Sequence, residues 1–351
     1  MDTEVLVLKD PEDPEIIDKA AKVIARGGLV AFPTETVYGL GANGLDERAV
    51  AKIYEAKGRP NDNPMILHVS SLEMCERLVK NIPKEAKDCM DMFWPGPLTM
   101  IFEKKDLIPD RVSAGLPTVA IRMPSDRFAR GMIAKADLPV AAPSANTSGR
   151  PSPTKASHVL EDMAGKIDLI IDGGSTEVGI ESTVLDMTVK PPMLLRPGGV
   201  TLEDLKALLK DVDVDPSLLG GEPKEVLHPK SPGQKYKHYA PKADCLLFGG
   251  NLKNIAKEVD RRIRENPDKK IAVLATEETM DFYQEKPYLL LNMGSRDHLE
   301  EVAHNIFDDL RQCDEEEVDL IFVEGFDFQG MGQGIMNRLL KACGGKVVLG
   351  L

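Results

Sequence analysis

The sequence predicts an α/β protein organised as two domains, and three observations carry the prediction. The chain has 351 residues, 42% of them hydrophobic, which exceeds what one core comfortably organises. Up to about residue 210, short apolar runs alternate with stretches of helical period. Beyond a proline- and glycine-punctuated connector, a plainer strand-then-helix rhythm repeats to the end. That rhythm predicts a small, mainly parallel sheet with helices on both faces.

In the first part, IIDKAAKVIARGG has helical period and is followed by the apolar run LVAFP. A helix is expected over Glu47–Ala56, ahead of PMILHV. Further strand-like runs are LTMIF, TVAIRM, LPVAAPSA, IDLIIDGG and STVLDM. TLEDLKALLK opens with Thr201 as N-cap and Asp204 three residues on, and closes the domain. The expected boundaries are a first domain over 1–210, a linker over 211–241 and a second domain over 242–351. In the last, DCLLF, IAVLA, YLLLNM, VDLIFVEG and KVVL alternate with helical patterns such as LKNIAKEVDRRI and HLEEVAHNIFDDLRQ.

Composition excludes several classes. No run reaches the eighteen or so apolar residues that cross a bilayer, and MDTEVLVLKDPEDPE is acidic where a targeting peptide would be basic, so a cytoplasmic protein is expected. Five scattered cysteines with no CxxC pair read as reduced and buried, with neither a disulfide framework nor a thiolate metal site. The net charge of -13 argues against non-specific nucleic-acid binding, though a local basic cleft is compatible with it. GMGQG, Gly330–Gly334, lacks the spacing of a Walker A or dinucleotide loop and is read as a turn with close helix packing. His298 and His304 are read as surface residues.

The candidate site lies in the first domain. FPTETVYGLG places Thr34, Glu35, Thr36 and Tyr38 after an apolar run, which fits a ligand rim or a tight turn equally. KGRPNDNPMILH crowds Lys57, Arg59, Asn61, Asn63 and His68 around two prolines, a stiff array of donors suited to a polyphosphate. Arg122 in TVAIRMPSD follows a strand, positioned for a bidentate carboxylate pair or a structural salt bridge. PSANTSGRPSPT supplies Ser144, Asn146, Thr147, Ser148 and Arg150, while GIESTV and LLRPGG add Ser182, Thr183 and Arg196. Such loops converging suggest an anionic ligand. No HExxH, close histidine pair or DxDxDG loop is present, so no metal held by protein side chains is expected. In the connector, SPGQKYKHYAP concentrates two tyrosines, two lysines and a histidine.

FPTETVYGLG, KGRP with NPMILH, WPGPLT, PSANTSG, STV, RPG and SPGQKYKHYAP, in that order, resemble the two-domain threonylcarbamoyl-AMP synthases nearly from end to end. The resemblance implies a YrdC-like open twisted α/β catalytic domain followed by a smaller Rossmann-like parallel α/β domain. It implies a nucleotidyltransferase that joins L-threonine, bicarbonate or CO2, and ATP with its Mg2+, and releases pyrophosphate. The product would feed N6-threonylcarbamoyladenosine formation in tRNA. Carried over by motif, Thr34, His68, Arg122 and Ser182 form the threonine site, with Arg122 on the substrate carboxylate. Lys57, Arg59, Asn63, Thr118, Ala142, Ser144, Asn146 and Arg196 form the ATP site, and Lys57, Arg59, Ser144 and Asn146 act on the reacting phosphates. The linker is expected to fold back as a lid with Tyr236 beside the nucleotide. A rival reading is binding to double-stranded RNA through Lys57, Arg59, Arg150, Lys235 and Lys237; another makes the second domain a protein-interaction module.

Overall fold

The computed structural model describes residues 2–218, 229–234 and 238–351. The chain divides into two compact units, Met1–Ser148 with Ser152–Tyr236, and Gly149–Pro151 with Lys237–Leu351.

The first unit holds strands β1 (Glu4–Val7), β2 (Val30–Phe32), β3 (Gly39–Asn43), β4 (Ile66–His68), β5 (Leu98–Glu103), β6 (Thr118–Arg122), β7 (Val140–Ala141), β8 (Leu169–Asp172), β9 (Thr183–Asp186), β10 (Met193–Arg196) and β11 (Asp213–Val214). Its helices are α1 (Pro14–Ala25), α2 (Glu47–Lys57), α3 (Leu72–Leu78), α4 (Lys84–Phe93), α5 (Asp110–Ser113), α6 (Arg127–Ala136), α7 (Ala156–Met163) and α8 (Leu202–Leu209). All eleven strands join one mixed sheet in the order β1-β8-β2-β3-β7-β4-β6-β5-β9-β10-β11. One face carries the main apolar core, with Leu67, Met100, Phe102, Val119 and Ile121. The alternate residues Ile66, Ile101 and Ala120, with Val184 and Leu195, form a small separate cluster on the other face.

Local chemistry explains the elements that shape the site. Asp46 caps α2 by accepting from the Arg48 and Ala49 amides. The helix ends at Gly58, whose φ of 62° suits glycine, and this turn leaves Lys57 as its last residue. α8 starts with the expected Thr201–Asp204 capping box. The GLGAN segment is not the loop its composition suggests: β3 pairs antiparallel with β2. A Cβ at Gly41 would stand 2.7 Å from the Phe32 ring and 2.8 Å from Val140, so only glycine admits the strand here. Within the expected linker, residues 213–214 form β11 at the sheet edge beside β10.

The second unit holds β12 (Asp244–Phe248), β13 (Ile271–Ala275), β14 (Leu289–Asn292), β15 (Leu320–Glu324) and β16 (Val347–Val348), with α9 (Leu252–Glu265), α10 (Leu299–Glu315) and α11 (Met331–Ala342). The order is β14-β13-β15-β12-β16, and every pairing is parallel. GMGQG makes the turn into α11: Gly330 has φ 52°, and a Cβ on Gly332 would lie 2.2 Å from the Asp327 carbonyl. The cysteine reading needs one correction. Cys245 and Cys343 are joined as a disulfide, brought together by the adjacency of β12 and the end of α11, while Cys75, Cys89 and Cys313 are free and buried. Among the described residues, no helix is long and apolar enough to cross a membrane.

Candidate active site

Sheet register assembles the threonine-side residues. His68 on β4 is paired with Arg122 on β6, and Arg122 with Thr99 on β5. Ser182 immediately precedes β9, whose Thr183 pairs with Leu98. His68, Arg122, Thr99 and Ser182 thus form a polar row across four neighbouring strands, all of them buried. Thr99 Oγ1 and Ser182 Oγ share a hydrogen bond of 2.8 Å. Arg196, at the end of β10, donates from Nε to the Ser182 carbonyl (2.9 Å) and from Nη2 to Ser182 Oγ (3.2 Å). A Cβ at Gly198 would stand 2.5 Å from the Glu181 carbonyl and the Thr183 amide, which explains the glycine after Arg196.

Apart from Arg196, which sits beside Ser182, the nucleotide-side residues gather at the other end of the same strands. Thr118 lies four residues before Arg122 on β6, about 13 Å at the usual strand rise. Asn63 precedes β4 at that same end, because β4 and β6 run parallel with Ile66 opposite Ala120. Ala142 donates its amide to the Ile66 carbonyl (3.1 Å), and Ser144 bridges to Gly39 two residues later. Arg59 donates Nη2 to the Pro64 carbonyl (2.8 Å) and Nε to the Asn63 carbonyl (3.3 Å), stiffening its own loop.

Two of the expected site residues already hold protein partners. Lys57 is 2% exposed, and its Nζ donates to the carbonyls of Ser144 and Asn146. Backbone oxygens two residues apart offer an ammonium a fixed seat, so Lys57 first of all shapes the loop that carries Ser144 and Asn146. Arg122 meets a protein carboxylate: its Nη2 lies 2.8 Å from Glu35 Oε2, with both side chains buried. That contact is ionic without hydrogen-bond alignment, and among the described residues Glu35 Oε1, Arg122 Nε and His68 Nδ1 have no hydrogen-bond partner. Buried unsatisfied groups cost about 1–3 kcal/mol each, so their clustering on one polar row marks a place built for a ligand.

Burial and the neighbouring Arg122 charge push the His68 imidazole down to about 3, so it is neutral near pH 7. Burial raises the Asp126 carboxyl, with the Glu35 charge adding to the rise. Thr34 Oγ1 donates to the Val37 carbonyl (2.7 Å) and braces the PTET turn, which is itself held by Val178 N on the Glu35 carbonyl (2.7 Å) and Gly179 N on that of Thr36 (3.0 Å). Residues 229–234 of the connector pack with the first unit: Lys230 pairs with Asp186 (2.9 Å), and Arg196 Nη1 reaches the Pro232 carbonyl at 3.5 Å. Tyr236, Lys235 and Lys237 lie outside the described residues. A recess of about 720 Å³ includes Lys57 and Thr147 in its lining, but none of the polar row. Among the described residues, no group of three or more His, Cys, Asp or Glu is placed to hold a metal ion.

Glu35 and Thr99 are the participants that sequence reasoning left without a role. Glu35 was visible in the PTET motif, but its partner lies far along the chain.

Comparison with known proteins adds an independent line. Residues 22–198 match the family model described as Telomere recombination, and residues 200–344 the one described as Threonylcarbamoyl-AMP synthase, C-terminal domain. The chain is 46% identical to a threonylcarbamoyl-AMP synthase of Pyrococcus abyssi, over 94% of each chain. It is also 46% identical to one of Bacillus subtilis, over 99% of this chain and 97% of that one. The crystal structure of P. abyssi Sua5 complexed with L-threonine superposes with a TM-score of 0.93 at 44% identity, covering 99% of both chains.

Proposed function

The chain belongs to the threonylcarbamoyl-AMP synthase family, and we propose that it joins L-threonine, bicarbonate or CO2, and ATP to form threonylcarbamoyl-AMP and pyrophosphate. This is nucleotidyl transfer, and its product serves N6-threonylcarbamoyladenosine formation in tRNA. The observation that carries the reading is that polar residues sit at both ends of the same neighbouring strands, Thr118 with Asn63 and Ser144 near one end and His68, Arg122 and Ser182 at the other, with the apolar Ile66, Ile101 and Ala120 between them. An amino acid at the arginine end and a nucleotide toward the other would meet across these strands.

In this scheme the threonine amine forms a carbamate, whose oxygen attacks the α-phosphorus as pyrophosphate leaves. No side chain need form a covalent bond, so alignment and charge do the catalysis. Arg122 takes the threonine carboxylate, and neutral His68 hydrogen-bonds without competing for it. Lys57 fixes the Ser144–Asn146 loop and adds a buried positive charge near the phosphates, to which Arg59 and Arg196 contribute. ATP enters as its magnesium complex. The described part of the connector, 229–234, lies against Arg196, which supports the reading of the linker as a lid. A cytosolic location, and an expected organisation of catalytic domain, lid and second domain, belong to the same proposal. The RNA reading loses support from Lys57, which is buried, and from Arg150, which reaches Asp314 at 3.5 Å.

The test is pyrophosphate release by the purified full chain. Release should require ATP, threonine and bicarbonate together. Release that persists without threonine would overturn the proposal.

A further inference from the structure

Beyond the carboxylate clamp, we infer that Glu35 receives the α-ammonium of the amino-acid substrate, so that Glu35 and Arg122 together read a zwitterion. The inference rests on the proposed threonine site and adds a residue and a selectivity to it. Nη2 of Arg122 and Oε2 of Glu35 stand 2.8 Å apart, with side chains 4% and 5% exposed. Among the described residues, each partner keeps an unsatisfied atom, Oε1 on the glutamate and Nε on the arginine. A buried pair held together for stability alone would be expected to close its remaining hydrogen bonds. This one leaves an acceptor beside a donor, the complement of an ammonium beside a carboxylate.

Glu35 is also firmly placed. Its backbone is clamped by Val178 and its turn is braced by Thr34 and Thr36, so little ordering is needed on binding. The other charged groups nearby are less suited. Asp126 uses Oδ1 to cap α6 through the Ala129 amide, and His68 is neutral. A neutral ion pair taking up a neutral zwitterion leaves no net charge buried, whereas an amino acid lacking its amine would leave the glutamate uncompensated.

The experiment is calorimetric titration of the full chain with L-threonine and with 3-hydroxybutyrate, which keeps the carboxylate and hydroxyl but lacks the amine. The parent should prefer threonine at least tenfold. Glu35→Gln should weaken threonine at least tenfold and 3-hydroxybutyrate less than twofold, with ATP affinity as the control for folding. Arg122→Ala should weaken both acids. Equal weakening of both acids by Glu35→Gln would make Glu35 only a strut for Arg122, and unchanged threonine binding would remove it from the site; either result overturns the inference. Should Glu35→Gln not fold, Glu35→Asp serves: its shortened carboxylate should weaken threonine at least threefold and leave 3-hydroxybutyrate unchanged, and any other pattern overturns the inference. A parent that binds no threonine would instead overturn the proposed function.

Discussion

Each unit buries a carboxylate against an arginine near the end of a sheet strand, and the two pairs differ in what else the carboxylate holds. In the second unit, Glu324 at the end of β15 has both oxygens occupied. Oε2 accepts from Arg296 Nη2 (2.9 Å), Thr276 N (3.2 Å) and Thr276 Oγ1 (3.0 Å), and Oε1 accepts from Tyr283 OH (2.6 Å). Arg296 spends its other donors on Thr276 Oγ1 and the Gly325 carbonyl, both at 3.0 Å. In the first unit, Glu35 and Arg122 touch only through one unaligned ionic contact. A closed network of this kind stabilises a fold, while an open one reserves its hydrogen bonds for something else. The contrast explains why a polar cluster at the strand ends of a parallel sheet, a common ligand position, is structural in the second unit.

The largest expected effect tests the closed network. Glu324→Ala strands Arg296, Thr276 and Tyr283 and should cost about 3–5 kcal/mol of stability, read by urea unfolding, with threonine affinity unchanged. A loss below about 1 kcal/mol would erase the distinction between the pairs. Next is Lys57→Ala, which removes the cation seated on the Ser144 and Asn146 carbonyls. Threonine-dependent pyrophosphate release should fall about a hundredfold, equivalent to about 2.7 kcal/mol; near-parental turnover would mean that this loop needs no such anchor.

The third concerns acid. His68 is held down to about 3 in the fold, so the unfolded chain takes up its proton first, near the ordinary value of about 6.5. Stability from this group is therefore complete above that value and is lost as pH falls toward 3, at about 1.4 kcal/mol per pH unit. Between pH 6.5 and 5 the parent should lose about 2 kcal/mol more than His68→Gln, and parallel losses would show that the histidine does not report on the open row. The smallest effect calibrates the scale. Thr201→Ala breaks an exposed, satisfied capping box and should cost about 1 kcal/mol with turnover unchanged, measured by thermal melting and the same release assay.

The strands rich in Val, Ile and Leu were legible, because buried β-sheet writes itself in composition. β3 was not, since its glycines are demanded by Phe32 and Val140 from other elements, and local propensity carries no trace of that. β11 was read as linker because two residues at an edge, Asp213 and Val214, show no period; a truncation after Leu209 would strip it from β10. The site motifs were visible as polar loops after apolar runs, and so were their residue types. What they touch was not. Lys57 reads as a donor for a polyphosphate until Ser144 and Asn146 close on it, and a pairing such as Glu35 with Arg122, or Cys245 with Cys343 across 98 residues, depends on three-dimensional adjacency that neither neighbour's sequence encodes.

The position of β1 beside β8 has a consequence measured in time. Thr3 bonds the Ile167 carbonyl across 164 residues of chain, and β1 lines up with β8 from Glu4↔Leu169 onward. A ribosome adding about 5–20 residues per second delivers that partner on the order of 10–30 s after the first strand has been made. β2 also waits for β8, and the Ser182 end of the polar row arrives later still. During synthesis the first unit therefore holds an incomplete sheet far longer than its helices take to form. Its opening strand suits the wait: Glu4, Val5 and Val7 remain exposed even in the finished fold, and four residues offer little edge for a stray chain to join.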